Sequence, residues 1–488
     1  MRPMTAHIDA VRERWPDAQG FYAERDHRTR LEVAQLDSYV QRPVEIRICP
    51  SAATDATAQR IMIMAANLTA RWARGVRVEV PEVPLNDALR SHGDVLLAAR
   101  IAREMTSADP FGNFEVQERL VPDPAALRLT IGPTQDWPSP TSDEDYRVDA
   151  TGWTALGSRG NRNASYARRP ATVAAASLAA AIGVADLFKR AVGHSSSEWL
   201  GDLAWCTWHQ AFRRVDDDEC ASHEARDRLD LGNVLLAGVG AVGSAVAYIL
   251  AMMPIAGCMT ILDRDHVETS NLNRSPLFMA IDAALGRSKV DVVRAFLERT
   301  GVTVDGLHGH WRDHEDALST RSLDVWVSLT NEDGAWAGLP FLLPPIVLHG
   351  TTTSGWGASC GRHIPRLEDC TACRMPRPVA EFRGPCAEGD IAPVAQTTPV
   401  RAALPFLSAA AAALVVAELS KLGLPEAAHL PNSVHADFRF GLPAVMSLSL
   451  GPTASCKGCG MALLPAWEDR GGRGRYHSLS RSGGLLSA

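Results

Sequence analysis

The sequence predicts an α/β protein with two Rossmann-like, doubly wound domains. Its 488 residues exceed the size of one ordinary domain. A strand, a glycine turn, a helix and a second strand follow one another between Gly232 and Asp263, and an earlier part of the chain also alternates strand-like with helix-like segments. Such alternation is typical of a parallel sheet that helices cover on both faces.

The later β-α-β unit carries a glycine turn. An apolar run at 234–237 leads into Gly238, Gly240 and Gly243, which have GxGxxG spacing. The first glycine permits a sharp turn, the second lets the backbone approach a phosphate, and the third lets the helix pack closely on the strand. Asp263 ends the second strand, about twenty residues further on, where an acidic side chain can bind ribose hydroxyls. On this motif alone, a nicotinamide or flavin enzyme is the default interpretation.

The residues after Asp263 favour a nucleoside triphosphate instead. Asp265, Asn271, Arg274 and Lys289 follow the second strand. A dinucleotide site has no evident need for these groups. A triphosphate requires acids that hold a metal ion and cations that offset phosphate charge as pyrophosphate leaves.

At these residues the chain resembles the ubiquitin-activating-enzyme family, including its bacterial ThiF and MoeB members. That family adenylates the C-terminal carboxylate of a small ubiquitin-like or sulfur-carrier protein. Its pattern is a Gly-rich turn, a strand ending in D-x-D, an N-L-x-R segment and then G-x-x-K, and all four parts occur here in order.

The resemblance implies that ATP and Mg²⁺ bind at this unit, with Arg274 and Lys289 offsetting the charge that develops during the reaction. The implied nucleotide-binding residues are Gly238, Gly240, Gly243, Asp263, Asp265, Asn271, Arg274, Lys289 and Asn331. The family usually has an Asp where this chain has Asn331, and an amide carries no charge to hold Mg²⁺. Glu332 or Asp333 is the alternative ligand.

Two CxxC pairs predict a structural zinc site. Four thiolates can close a tetrahedral Zn²⁺ site, with each pair spanning a tight turn. The bacterial members of the family likewise place one CxxC before and one after the final helical segment. The predicted ligands are Cys370, Cys373, Cys456 and Cys459.

A further cysteine, Cys386, lies between the two pairs in GPCAEGDIAPVAQ. This stretch is similar to the C-A-E-x-G segment of the bacterial members, although its glycine comes one residue early. In some relatives this cysteine takes the carrier protein as a thioester, which a thiolate forms by attacking the acyl-adenylate carbonyl. The alternative is a buried or incidental cysteine.

We expect four regions along the chain. The N-terminal region has the β-α-β pattern without a glycine turn, and the family works with pairs of adenylation folds, one of them often inactive. The prediction is an inactive adenylation-like domain at 1–195, a helical linker at 196–231, the active domain with its zinc site at 232–460, and a mobile tail at 461–488. An arginine that reaches the phosphates from outside the active core could come from Arg159, Arg162, Arg168, Arg213, Arg214 or Arg226.

Composition excludes several classes of protein. A net charge of −7 provides no basic field for nucleic acid. The charged N-terminus lacks the apolar core of a signal peptide, so a cytoplasmic location is expected, where ten cysteines favour metal or catalytic thiols over disulfides. The stretch 234–262 carries no charge, yet its glycines and proline argue against a membrane helix, and a buried parallel sheet has the same uncharged strands.

The expected function is ATP-dependent adenylation of a ubiquitin-like protein, followed by thioester formation and transfer to a conjugating enzyme, in a bacterial conjugation system. A homodimer is one option for its assembly. Three alternatives stay open. The first is sulfur-carrier adenylation for cofactor biosynthesis, and the second is a catalytically silent scaffold, which Asn331 favours. The third, an NAD-dependent oxidoreductase, leaves N-L-N-R, Lys289 and the paired CxxC unexplained.

Overall fold

The structure is a computed structural model that describes residues 4–33, 35–133, 145–159, 169–213, 228–330, 346–353, 356–364, 367–369, 373, 404–453, 475–476 and 479. Within these ranges the chain forms two eight-stranded sheets, one in each half. A lead-in of short helices precedes the first sheet, and these helices are α1 (Met4–Arg14), α2 (Ala18–Arg25), α3 (His27–Glu32) and α4 (Leu36–Tyr39).

The first sheet has the strand order β3-β2-β1-β4-β5-β6-β7-β8. Its strands are β1 (Val44–Ile48), β2 (Gly75–Glu79), β3 (Asn113–Gln117), β4 (Leu127–Ile131), β5 (Asp145–Thr151), β6 (Thr154–Arg159), β7 (Leu203–Cys206) and β8 (Ala211–Phe212). The first five strands pair in parallel and the last three pair antiparallel. The described helices that connect them are α5 (Ala56–Ala70), α6 (Leu97–Ala108) and α7 (Val173–Ala191).

The second sheet has the strand order β11-β10-β9-β12-β13-β14-β15-β16. Its strands are β9 (Leu229–Ala237), β10 (Ile255–Asp263), β11 (Thr303–His308), β12 (Val325–Ser328), β13 (Ile346–Thr353), β14 (Gly357–His363), β15 (Ser433–Asp437) and β16 (Ala444–Leu448). Its helices are α8 (Ala241–Leu250), α9 (Ala280–Ala284), α10 (Lys289–Leu297), α11 (Glu315–Ser319) and α12 (Leu407–Lys421).

The two sheets repeat one architecture. Counted within each half, both have the order 3-2-1-4-5-6-7-8, and in both the first five strands are parallel and the last three antiparallel. The start of this order, 3-2-1-4-5, is that of doubly wound nucleotide-binding sheets. The expectation of two α/β sheets, only one with a glycine turn, is confirmed.

Alanine-rich helices fill the space between the two sheets. Every residue of α7 and of α12 is buried, and α7 packs against α5, α8 and α12. Most of the buried apolar side chains form one large cluster with members from both halves, among them Ile182 of α7 and Val415 of α12. Alanine has the highest helix propensity and the smallest side chain that permits a regular helix. These helices can therefore be buried on all sides while they join the halves.

The structure differs from the sequence prediction between 196 and 231. The prediction places 203–206 and 211–212 in a helical linker, but these residues form β7 and β8. They extend the first sheet, because β7 pairs with β6 and β8 pairs with β7. Periodicity cannot show whether a four-residue apolar run is a strand or part of a helix. The strand that β7 pairs with, β6, is also distant in the chain. The domain limits themselves stay predictions.

Candidate functional site

The glycine turn joins β9 to α8, and its three glycines meet different surroundings. Gly238 has a φ of +86°, and a side chain there would meet the backbone of Leu329 and Thr330 at 2.8 Å. A Cβ at Gly243 would lie 2.0 Å from the Gly238 carbonyl oxygen, so only glycine lets α8 pack on the turn. Among the described residues, a Cβ at Gly240 would meet nothing within 4 Å. The turn thus has open space beside its middle glycine, at the N-terminus of α8.

This turn lies at the point where the strand order reverses. In the second sheet β10 lies on one side of β9 and β12 on the other, and all three run parallel. Their carboxyl ends carry the glycine turn, Asp263 and Thr330. In open α/β sheets, ligands bind in the crevice outside the carboxyl ends of the strands at such a switch point. The candidate site is therefore this edge of the second sheet.

Asp263 connects the end of β10 to the glycine turn. Its Oδ2 accepts a hydrogen bond of 2.7 Å from the Val239 backbone N–H, and its Oδ1 accepts one of 2.9 Å from the Asp265 N–H. A carboxylate has about four acceptor positions. Asp263 can therefore accept hydrogen bonds from ligand hydroxyls while it orders the turn.

Asp265 and Lys289 form an ion pair beside this edge. The Lys289 Nζ donates to Asp265 Oδ2 over 2.9 Å. Lys289 begins α10 and is buried, whereas the Asp265 carboxylate is more than half exposed. The segment after β10 is held against the start of α10 by the Val267 N–H, which donates to the Arg287 carbonyl over 2.8 Å. One series of hydrogen bonds thus runs from the glycine turn through Asp263 and Asp265 to Lys289.

Asn271 and Arg274 belong to a second cluster, a 3₁₀ turn at Thr269–Asn271 and the loop that follows it. Asn271 is buried, and its Oδ1 accepts a hydrogen bond of 3.0 Å from the Glu268 N–H, which caps the turn. The Arg274 Nη1 donates to Asn273 Oδ1 over 2.9 Å and also to the Ser270 carbonyl. This loop is therefore ordered by its own polar side chains.

The first half of the chain also contacts this cluster, which the sequence did not predict. Glu24 of α2 accepts a hydrogen bond of 2.7 Å from the Thr269 hydroxyl, and Arg71, which follows α5, donates to carbonyls of the 272–278 loop. The sequence feature that could indicate this contact is Arg71 itself, a cation next to the apolar helix segment IMIMAANLTA.

The turn fits a nucleotide phosphate by its chemistry. Besides the open space at Gly240, the buried Thr330 Oγ1 has no hydrogen-bond partner among the described residues. A buried polar atom without a partner calls for a ligand or water to satisfy it. Backbone N–H groups at the start of a helix favour an anion. The site thus offers space, donors and nearby cations for an anionic ligand.

The predicted residues that lie outside the described ranges are Arg162, Arg168, Arg214, Arg226, Asn331, Glu332, Asp333, Cys370, Cys386, Cys456 and Cys459. Cys373 is the one member of the predicted zinc set that is described. Across the described ranges, no three His, Cys, Asp or Glu side chains converge so that they could hold a metal ion. The zinc site and the thioester cysteine therefore stay predictions. Among the described helices, none combines the length and apolarity needed to cross a bilayer.

Comparison with solved structures finds E. coli MccB with ATP, at 17% identity and a TM-score of 0.38, over 64% of this chain and 98% of that one. The microcin C7 biosynthetic enzyme MccB in complex with N-formylated MccA is similar at 15% identity and the same TM-score and coverage.

Sequence comparisons match both halves of the chain. Residues 43–199 match the BilD N-terminal domain. The adenylyltransferase and sulfurtransferase MOCS3 of Oryza sativa subsp. japonica is 35% identical over 82 residues, 17% of this chain and 18% of the relative. Human ubiquitin-like modifier-activating enzyme 7 is 35% identical over 74 residues, 14% of this chain and 7% of the relative. The chain thus spans less than a fifth of the length of these curated relatives.

The residues matched by the ThiF family, 214–330, contain the glycine turn, Asp263, the Asn271–Arg274 cluster and Lys289. This match confirms the resemblance drawn from the motifs. Residues 214–330 therefore match the ThiF family, as the motifs of this region predict.

Proposed function

We propose that this protein uses ATP to adenylate the C-terminal carboxylate of a ubiquitin-like protein. The observation that carries the proposal is the hydrogen-bonded series from the glycine turn through Asp263 and Asp265 to Lys289, at the switch point of the second sheet. It combines open space beside Gly240, a carboxylate that can accept from ribose hydroxyls, and a buried cation at one sheet edge.

Each side chain has a role in this proposal. The glycine turn and the N-terminus of α8 bind phosphate, and Asp263 accepts hydrogen bonds from the ribose. Lys289 and Arg274 offset the negative charge that develops as pyrophosphate leaves. Asn271 keeps the Arg274 loop in shape by capping the 3₁₀ turn. The ligand that holds Mg²⁺ stays open between Asn331, Glu332 and Asp333.

The chemistry consists of two transfers. An oxygen of the partner's carboxylate attacks the α-phosphorus of ATP, and the bond to the β-phosphate oxygen breaks, so that acyl-AMP forms and pyrophosphate leaves. In the second transfer the Cys386 thiolate attacks the acyl carbon and AMP leaves. The resulting thioester would be passed to a conjugating enzyme. These steps are proposals from the sequence. The same holds for the four-cysteine zinc site, the cytoplasmic location and the homodimer.

A second candidate is adenylation of a sulfur-carrier protein, because one relative is an adenylyltransferase and sulfurtransferase. That reaction needs a sulfur source and gives the first sheet no evident role. The first half of the chain contacts the candidate site through Glu24 and Arg71, which favours a conjugation system, where an inactive partner domain has a place.

ATP–pyrophosphate exchange with Mg²⁺ and a candidate ubiquitin-like partner tests the proposal. The variants are Arg274→Ala and Cys386→Ala, with the exposed Arg299→Ala as a matched control. We expect exchange to survive loss of Cys386 and of Arg299 but not of Arg274. If the protein binds nucleotide but shows no exchange with any small partner tried, the conclusion would be that it is a catalytically silent scaffold and not an enzyme.

A further inference from the structure

We propose that Arg71 is a positioning residue, a buried guanidinium of the first half that holds the 272–278 loop of the second half and so fixes Arg274 in the site. This inference rests on the proposed function, because Arg274 is the residue expected to offset charge during adenylation. It gives the half without a glycine turn a specific task in the chemistry of the other half.

The contacts of Arg71 converge on this loop. Its Nη1 donates to the carbonyls of Leu272, over 2.7 Å, and of Phe278, over 3.1 Å. Its Nη2 donates to the Pro276 carbonyl over 2.6 Å, and its Nε donates to Asn67 Oδ1 over 2.7 Å. One side chain thus binds both ends of the loop, and Arg274 lies between them.

The burial of this cation makes the arrangement specific. Arg71 is fully buried, and burial lowers its pKa to about 10. Other buried arginines here contact carboxylates directly, as Arg25 does with Asp109 over 2.6 Å. Arg71 is linked to the Glu104 carboxylate through the Asn67 amide, which accepts from Arg71 and donates to Glu104 over 2.6 Å. A buried charge is costly unless hydrogen bonds satisfy it, so this site requires the loop carbonyls in place.

The same group of residues reaches the nucleotide helix. Asn67 lies within 3.4 Å of the Tyr248 hydroxyl, and Tyr248 belongs to α8, the helix that begins after the glycine turn. Asn67 Nδ2 also lies 3.1 Å from the Pro276 carbonyl. Helix α5 and the residue after it therefore contact both elements of the candidate site, the 272–278 loop and α8.

Lysine cannot replace this arginine. A guanidinium presents five N–H donors in a planar fork, whereas an ammonium is a compact charge on a flexible stem. Arg71→Lys keeps the charge but cannot bind carbonyls at both ends of the loop and Asn67 together. The positioning role therefore predicts a defect in Arg71→Lys as well as in Arg71→Met.

The experiment measures binding of a non-hydrolysable ATP analogue by calorimetry, for Arg71→Lys and Arg71→Met in the wild-type and Arg274→Ala backgrounds. We expect about three- to thirtyfold weaker binding in the wild-type background and a loss below about twofold when Arg274 is absent. The control is Arg128→Met, a buried arginine paired with Glu45 in the first sheet. It should lower the melting temperature and leave nucleotide affinity unchanged.

Amide hydrogen exchange supplies a second readout that needs no ligand. We expect faster exchange at 272–278 in Arg71→Lys, with little change in the first sheet. If Arg71→Met does not fold, Arg71→Lys alone provides the test. An equal loss of affinity in both backgrounds, or unchanged exchange in the loop, would overturn the proposal. If the wild type binds no nucleotide, the proposed function fails, whereas the exchange data still decide whether Arg71 holds the loop.

Discussion

Replacing Gly243 by alanine should damage both the fold and the nucleotide site. The added Cβ would lie 2.0 Å from the Gly238 carbonyl oxygen and 3.0 Å from its carbon, against 3.4–4 Å for ordinary contact. Both atoms belong to the backbone, so no side-chain rotation relieves the clash, and α8 must move away from the turn.

The size of the effect follows from two opposed contributions. Overpacking in a well-packed region costs about 1–3 kcal/mol, and a contact this short with backbone belongs at the upper end. Alanine in place of glycine in a helix regains about 1 kcal/mol. The free energy of unfolding should therefore fall by about 2 kcal/mol.

Urea denaturation followed by tryptophan fluorescence measures this loss, and Gly240→Ala is the matched control. A Cβ at Gly240 meets no atom of the described part of the chain within 4 Å, so that variant should keep the stability of the wild type. It should still bind the ATP analogue less tightly, because the methyl group occupies the space assigned to phosphate. Equal denaturation midpoints for the two variants would refute the steric reasoning.

Three further changes test other parts of the site and its support. Asp263→Ala leaves the buried Val239 N–H without its acceptor and should cost about 1–3 kcal/mol of unfolding free energy in urea. Asn271→Ala removes the side-chain cap of the 3₁₀ turn and should destabilise that turn by about 1 kcal/mol, seen as faster amide exchange at 268–274. Burial lowers the pKa of Lys189 to about 8. Between pH 8 and the usual lysine pKa, the unfolded chain therefore binds a proton at Lys189 that the folded protein has lost. The free energy of unfolding should rise with pH across that window, and less so in Lys189→Met.

Each of these expectations has an outcome that contradicts it. For Asp263, the same unfolding free energy in Asp263→Ala and Asp263→Asn as in the wild type would show that the carboxylate does not order the turn. For Asn271, unchanged exchange throughout 268–274 would exclude the capping role. For Lys189, a wild type and a Lys189→Met variant with the same pH dependence would assign that slope to other groups.

The motifs of the second half could be predicted from sequence because they are local. Gly238 and Gly243 are only five residues apart, and glycine is required because a Cβ at Gly243 would lie 2.0 Å from the Gly238 carbonyl oxygen. Buried parallel strands are apolar throughout, so the run at 234–237 and the strand ending at Asp263 were recognisable. The confirmed family match over 214–330 covers this same region.

The later strands were harder to predict. The sequence predicts a linker where β7 and β8 lie, because each strand is short and its neighbours in sequence are polar or charged. Their hydrogen bonds go to β6 and to each other, and a strand of four residues has no periodicity that separates it from other buried segments. The identical strand order of the two sheets was visible only once these pairings were known.

By itself, the sequence determined the α/β class, the two alternating halves, the glycine turn and the identity of the charged residues beside it. All of these depend on residues within a few turns or strands of one another. The tertiary structure decided that Asp263 orders the turn through Val239, that Asn271 caps its own loop, and that Arg71 of the first half binds the loop of Arg274. The Asp263 contact joins neighbouring strands of the second sheet, and the Asn271 cap is local. The Arg71 contact joins the two halves, which meet because α5, α7, α8 and α12 pack between the two sheets, and packing between distant segments leaves no local pattern in the chain.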